Sequence, residues 1–308
     1  MQSGVADLLQ WLLKDCGLDA TTPDGLGRTG THMACQGMGS LHMLQCLHAH
    51  KQLSFSPDES SCYPLHLVAR NGSVDCAKVL LACGHPPHAT DSQGCSPLHL
   101  ACTENNLAVI EVLAEAGRVD GHDITGASPL MICVEKGMLD AAETLLKFGA
   151  SAAHRDFFGR SCLHAALNMP HDNARQQILV TLLIKGGCDV NARDITGRSP
   201  CFIAAEKGNI DMLKLLIDHG GDVAVADSLG KTCLALLGRD NFQVVTQLLI
   251  ERLVPLYFQQ VRDISRSRCL LILTLSSLIC TLQSRMAMSC ASRTSFVIPA
   301  ENVKRVLT

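Results

Sequence analysis

The chain has 308 residues, 47% hydrophobic and only 4% aromatic, with sixteen cysteines and a formal net charge of −3 at pH 7. So large an apolar fraction excludes a wholly disordered chain, and the length is that of two ordinary domains unless the sequence repeats. The charge is uneven: from Glu251 onward eight Lys and Arg face three Asp and Glu, so the tail is +5, the body −8, and nucleic acid is not expected as the main ligand.

Residues 1–23 open in mid-pattern. Val5, Leu8, Leu9, Leu12 and Leu13 recur at helical spacing, and Cys16-Gly17-Leu18-Asp19-Ala20 closes the run. The stretch is either a terminal cap or the second half of an incomplete unit. A cap needs a polar outer face, and Trp11 among leucines favours the incomplete unit.

From there an aspartate recurs at 24, 58, 91, 123, 156, 194 and 227, at steps of 34, 33, 32, 33, 38 and 33 residues. Glycine stands three places on at 27, 94, 126, 159, 197 and 230, with Ser61 in the remaining copy. Next comes a helix start: Tyr63-Pro64-Leu65-His66, Ser96-Pro97-Leu98-His99, Ser128-Pro129-Leu130-Met131, Ser161-Cys162-Leu163-His164 and Ser199-Pro200. Serine caps free amides there, and proline is pre-set for the first turn. The copy 194–226 shows the whole plan. A first helix through Ile203, Ala204 and Ala205 breaks at Gly208-Asn209; a second, through Ile210, Leu213, Leu215, Leu216 and Ile217, stops at Gly220-Gly221. Neither helix is long enough to stand alone, so each unit needs a neighbour.

The units run 24–57 (degenerate, with Gly30-Thr31-His32 at the helix start), 58–90, 91–122, 123–155, 156–193, 194–226 and a degenerate 227–255. In 58–90 the second helix is expected over Val74–Cys83, and Gly84-His85-Pro86-Pro87-His88 reads as an exposed, proline-stiffened loop. Unit 156–193 is five residues longer than its neighbours. The excess falls around Asn168–Asn173, where an insertion would emerge as a loop between the helices. Residues 256–308 form a basic tail. Its charge-free Cys269–Leu282 is short of the about 20 residues a membrane span needs, so a membrane is not expected as a partner. A capping helix, a poorly ordered tail or a membrane tether are the readings open for it.

A period near 33 with this start resembles the ankyrin repeat over roughly residues 1–255. The resemblance implies an all-α solenoid of stacked helix-turn-helix units with hairpin fingers, built to bind protein partners rather than to catalyse. It implies that His66, His99 and His164 hydrogen-bond at the helix start and brace the neighbouring loop. It also places the charged pairs Glu135-Lys136 and Glu206-Lys207 on the concave side, where a solvated face and a partner contact are both open. The unit aspartates read as turn residues whose carboxylates satisfy amides.

No phosphate-binding glycine loop, GxSxG or HExxH occurs, so no catalytic residue, cofactor or metal is expected. His32/Cys35 and His99/Cys102 share an i, i+3 spacing, but each histidine belongs to the helix start and each cysteine replaces a small core residue. The cysteines lack close pairs, no CxxC occurs, and the opening carries no secretory pattern. Reduced thiols in the cytoplasm or nucleus are expected.

The candidate interface is a mixed apolar and cationic patch on adjacent fingers: Phe157, Phe158, Arg160, Ile195, Thr196 and Arg198. Exposed aromatics beside arginine are common interface anchors. The expected signature is that Phe158 and Arg160 support partner capture without supporting stability. Leu183, eight residues before Asn191 in the run Asp189-Val190-Asn191, resembles a motif read by an asparagine hydroxylase in many ankyrin repeats; Asn191 is equally a structural turn residue. A ubiquitin-ligase adaptor of the ankyrin-and-SOCS-box kind is the alternative. Ile298-Pro299 faintly resembles the end of that box, while Arg268-Cys269-Leu270 departs from its Leu-Cys-Arg element.

Overall fold

A computed structural model of the chain describes residues 2–37, 40–169 and 173–237. Residues 238–255 of the last unit and the tail 256–308, with the box-like Ile298-Pro299, lie outside the described residues.

Each unit has the same plan. An N-cap residue with extended backbone (Thr29, Tyr63, Ser96, Ser128, Ser161, Ser199) starts a short first helix. These are α2 (Gly30–Gln36), α4 (Pro64–Asn71), α6 (Pro97–Thr103), α8 (Pro129–Glu135), α10 (Cys162–Asn168) and α12 (Pro200–Glu206). The second helices are α3 (Ser40–Ala49), α5 (Val74–Ala82), α7 (Leu107–Ala116), α9 (Leu139–Lys147), α11 (Asn173–Lys185) and α13 (Ile210–Asp218). First helices pack on first helices and second on second, giving two layers; α1 (Gln2–Asp15) lies against α3, and α14 (Cys233–Leu236) against α12.

Both layers bury small and large apolar side chains. First helices bury Ala34, Ala69, Ala101, Ala166 and Ala204 beside Leu65, Leu98, Leu130 and Leu163, and second helices bury Leu44, Leu80, Ile110, Leu145, Leu183 and Leu216 beside Ala77, Ala114, Ala141 and Ala142. Small residues let neighbouring helices approach closely, and each buried leucine contributes about 2 kcal/mol. Cys35, Cys102, Cys133, Cys162 and Cys201 are buried in first helices and Cys76 in the second helix α5, all as small apolar groups.

Three expectations are corrected. The extra length of unit 156–193 does not emerge as a loop: α11 has thirteen residues where α9 and α13 have nine, so most of the insertion lengthens the second helix. Its opening Asn173-Ala-Arg-Gln-Gln has no helix breaker, and Gln176 from inside it donates to the Ala166 carbonyl at 2.8 Å, which anchors the added turn. His85 is buried, against the exposed loop expected; its ring stands edge-on to Phe55 and Tyr63, with centroids 5.1 and 5.9 Å away. Cys83 caps α5 rather than belonging to it.

Candidate functional site

The fingers are built by one carboxylate each. In all seven, the unit aspartate accepts through Oδ1 from the amides two and four residues on, as in Leu26 and Arg28 to Asp24 (2.9 and 2.8 Å) and Phe158 and Arg160 to Asp156 (3.0 and 2.8 Å). The residue three places on must turn left-handed, which six glycines allow; Ser61 does so at φ 57°. Fingers are then stitched in series. The amide after each aspartate donates to the carbonyl of the previous finger: Glu59 to Leu26, Ser92 to Ser60, Ile124 to Gln93, Phe157 to Thr125, Ile195 to Phe158 and Ser228 to Thr196, at 2.9–3.1 Å.

The helix-start histidines brace this row from below. Nδ1 of His32, His66, His99 and His164 accepts from its own N-cap amide at 3.1 Å, so Nε2 carries the proton and donates onward. Its acceptors are the carbonyls of Cys62, Cys95, Ala127 and Arg198 in the next unit, 2.9–3.3 Å away. Burial pushes the pKa of His66, His99 and His164 down, against those hydrogen bonds, which keeps the rings neutral and in this tautomer. Where histidine is absent, Ser128 and Ser199 accept through Oγ from the Met131 and Phe202 amides at 3.3 Å.

On this frame Phe157, Phe158 and Ile195 stand at neighbouring tips, 65%, 49% and 69% exposed. The Phe157 ring meets His122 edge-on at 5.7 Å, and the Arg160 guanidinium lies 5.6 Å from the centre of the Phe158 ring. Arg160 is also held by two carboxylates, Asp156 at 2.6 Å and Glu135 at 3.6 Å; Arg198 repeats this with Asp194 at 3.0 Å and Glu206 at 3.8 Å. Burial opposes ionisation of Asp194, yet the Thr196 hydroxyl and the Arg198 amide and guanidinium outweigh it and hold the carboxyl below its usual range. Thr196 spends its hydroxyl on that carboxylate at 2.6 Å.

The structure thus joins Glu135 to Arg160 and Glu206 to Arg198, four of the residues singled out in the sequence. Lys136 and Lys207 reach back to the Thr103 and Leu167 carbonyls of the previous unit, the second at 2.6 Å, and burial lowers the Lys207 pKa against the pull of Glu206. Asn191 bridges onward: its Nδ2 donates to the Gly220 carbonyl at 3.0 Å, and its Oδ1 accepts from the Asp222 amide at 2.8 Å. Sequence reasoning missed Ile124 and Leu229, tip residues 58% and 77% exposed. They lie one and two places after a unit aspartate, and that position was the signal for them.

Comparison with known proteins agrees with this geometry. A family model described as ankyrin repeats in three copies matches residues 1–91, 32–125, 65–156 and 163–255. The chain belongs to the ankyrin-repeat family. Ankyrin repeats as a class mediate protein–protein interaction. The ankyrin-repeat domain of Bcl-3, a member of the IkappaB protein family, superposes with a TM-score of 0.62 over 71% of this chain and 99% of its own; at 22% identity this shows the fold alone. Among curated relatives, the putative ankyrin repeat protein FPV219 of fowlpox virus is 38% identical over 78 residues, 25% of this chain and 18% of that protein. Human Neurogenic locus notch homolog protein 1 is 34% identical over 112 residues, 36% of this chain and 4% of that protein. Human Ankyrin repeat and SOCS box protein 6 is 34% identical over 145 residues, 45% of this chain and 33% of that protein. The chain spans less than a fifth of the first two relatives.

Proposed function

We propose that this ankyrin chain is a non-enzymatic interaction scaffold that holds a partner protein on its fingers and first helices, in the cytoplasm or nucleus, without nucleic acid, cofactor or membrane in its role. The row of exposed apolar tips carries the reading. Phe157, Phe158 and Ile195 stand in water on a frame whose polar groups are already spent on one another, and large apolar side chains so held are what an interface anchor requires. Arg160 and Arg198, each tied to two carboxylates, serve as rigid supports beside those anchors, with Glu135, Glu206, Lys136 and Lys207 on the inner face. Proximity labelling with the full chain tests this. The variant Phe157→Ser/Phe158→Ser/Ile195→Ser should lose a defined set of labelled proteins while staying folded; an unchanged set would remove the reading.

A ubiquitin-ligase adaptor is the second reading, favoured by the likeness to Ankyrin repeat and SOCS box protein 6. Capture of elongin proteins by the full chain supports it, and failure of that capture removes it. Asn191 is our candidate for an asparagine hydroxylase: it is exposed, and Leu183 eight residues before it is buried. A mass increase of one oxygen at Asn191 in protein from cells is the expected result.

A further inference from the structure

The finger row changes character along its length. The finger tips Asp58-Glu59-Ser60-Ser61 and Asp91-Ser92-Gln93 carry acidic and polar side chains and no cation. The fingers at 155–160, 193–198 and 226–231 carry Arg155, Arg160, Arg193, Arg198 and Lys231 against one aspartate each. Cations concentrate here in a body whose net charge is −8.

Three of the five are neutralised: Arg155 by Asp189 at 3.1 Å, and Arg160 and Arg198 by the carboxylate pairs already described. Arg193 is held differently. Its guanidinium donates to the Gly197 and Ala226 carbonyls at 3.2 and 2.5 Å, which fixes its place and leaves its charge unmatched. Among the described residues no carboxylate pairs with Arg193 or with exposed Lys231. On the fingers that run in series with these two cations, Ile124, Phe157, Phe158, Ile195 and Leu229 are exposed tips.

Spacing narrows the shape of the occupant. Stacked helices sit roughly 8–10 Å apart, and the finger-to-finger hydrogen bonds hold the tips in the same series. A polyproline-II segment advances about 9 Å per three-residue turn, so it presents one side chain to each tip. An amphipathic helix presents apolar residues at every third or fourth position along a shorter rise, and many of these would fall between tips.

We propose that the tips from Ile124 to Leu229 dock an extended acidic segment of another protein, with an apolar residue at every third position seated on the tips and carboxylates meeting Arg193 and Lys231. The inference rests on the scaffold reading above and adds the chemistry of the partner.

Fluorescence anisotropy with the full chain tests it, using labelled peptides of four Leu-Glu-Pro triads and four Leu-Lys-Pro triads. The acidic peptide should bind at least about tenfold more tightly than the basic one, the equivalent of about 1.4 kcal/mol. Ile195→Ser, which removes a tip and no described side-chain hydrogen bond, should weaken it about tenfold. Lys231→Glu should weaken the acidic peptide and strengthen the basic one. Equal binding of the two peptides, indifference to both substitutions, or tighter binding of oligo-dT than of the acidic peptide would overturn the inference. If neither peptide binds while the triple tip variant still loses its labelled partners in cells, the scaffold reading stands and this inference falls.

Discussion

Replacing His85 with leucine tests how the end of unit 58–90 is built. His85 is 2% exposed; its Nδ1 donates to the Pro86 carbonyl at 3.1 Å, which leaves Nε2 a bare acceptor with no partner. Burial pushes its pKa from 6.5 down to about 4, against the Pro86 hydrogen bond and with small help from His66 and His32. A depressed folded pKa means that the neutral ring's stability is present in full above 6.5. It is lost as the pH falls towards 4, because the unfolded chain takes up a proton that the folded chain refuses. Those two values give a loss of about 2 kcal/mol between pH 8 and pH 5, and about 3 kcal/mol by pH 4. Leucine cannot titrate; it forfeits one hydrogen bond, about 1 kcal/mol, and removes the unpaired nitrogen. Urea unfolding of both proteins at about pH 8 and about pH 5, followed by far-UV circular dichroism, gives the difference directly. His66, His99 and His164 titrate in both chains and cancel. His85→Leu should gain about 2 kcal/mol on the wild type between the two conditions. Parallel pH curves would refute the argument, since they would mean that the ring finds water or an acceptor when protonated.

Three further outcomes are expected. A β-carbon at Gly126 would meet the Phe157 amide nitrogen at 2.6 Å, with φ at +82°, so Gly126→Ala should cost about 3 kcal/mol in urea unfolding and loosen two fingers in hydrogen exchange. Arg160→Met should destabilise by about 2 kcal/mol, because the buried Asp156 carboxylate loses its guanidinium, while Phe158→Ser should leave the midpoint almost unmoved; equal effects would contradict the ion-pair geometry. In native protein, iodoacetamide should label exposed Cys16 fast, leave Cys102, Cys133 and Cys201 unmodified, and react slowly at Cys62 and Cys95, whose thiols burial pushes up to about 11. Peptide mapping by mass spectrometry reads all of these sites at once.

The unit boundaries were legible because the fold demands particular residues at fixed places. An aspartate closes each finger, a left-handed residue turns it, and small residues recur inside the first helices. Those demands repeat every 33 residues or so, and the eye needs nothing else. What repetition does not carry was missed or misjudged. Arg160 looked like a free interface cation, because Glu135 lies 25 positions earlier and meets it only when the units stack. The Arg160 side chain is therefore tied into the frame, whereas the Phe158 ring makes no hydrogen bond or ion pair. His85 looked exposed among prolines, because Phe55, the ring that covers it, belongs to the end of the preceding unit. The insertion looked like a loop, because length alone does not say whether extra residues join a helix.

The finger geometry also explains why binding specificity has room to reside at the tips. At the first and second positions after each aspartate, the hydrogen bonds that hold the row together come from backbone amides: one to the previous finger, and one to the finger's own carboxylate. The side chains at the first position take no part in that ladder; at the second, only the Thr125 and Thr196 hydroxyls join it, each donating to its own finger's aspartate. Glu59, Ser92, Ile124, Phe157, Ile195 and Ser228 accordingly occupy equivalent places on one frame with unrelated chemistry. A substitution at the first position changes what the row meets and leaves intact what it stands on, whereas the aspartate, present in all seven fingers, supports two backbone amides in each. The exposed Ile124, Ile195 and Leu229 lie on the free side of that division, whereas Arg193, whose guanidinium donates to the Gly197 and Ala226 carbonyls, belongs to the frame.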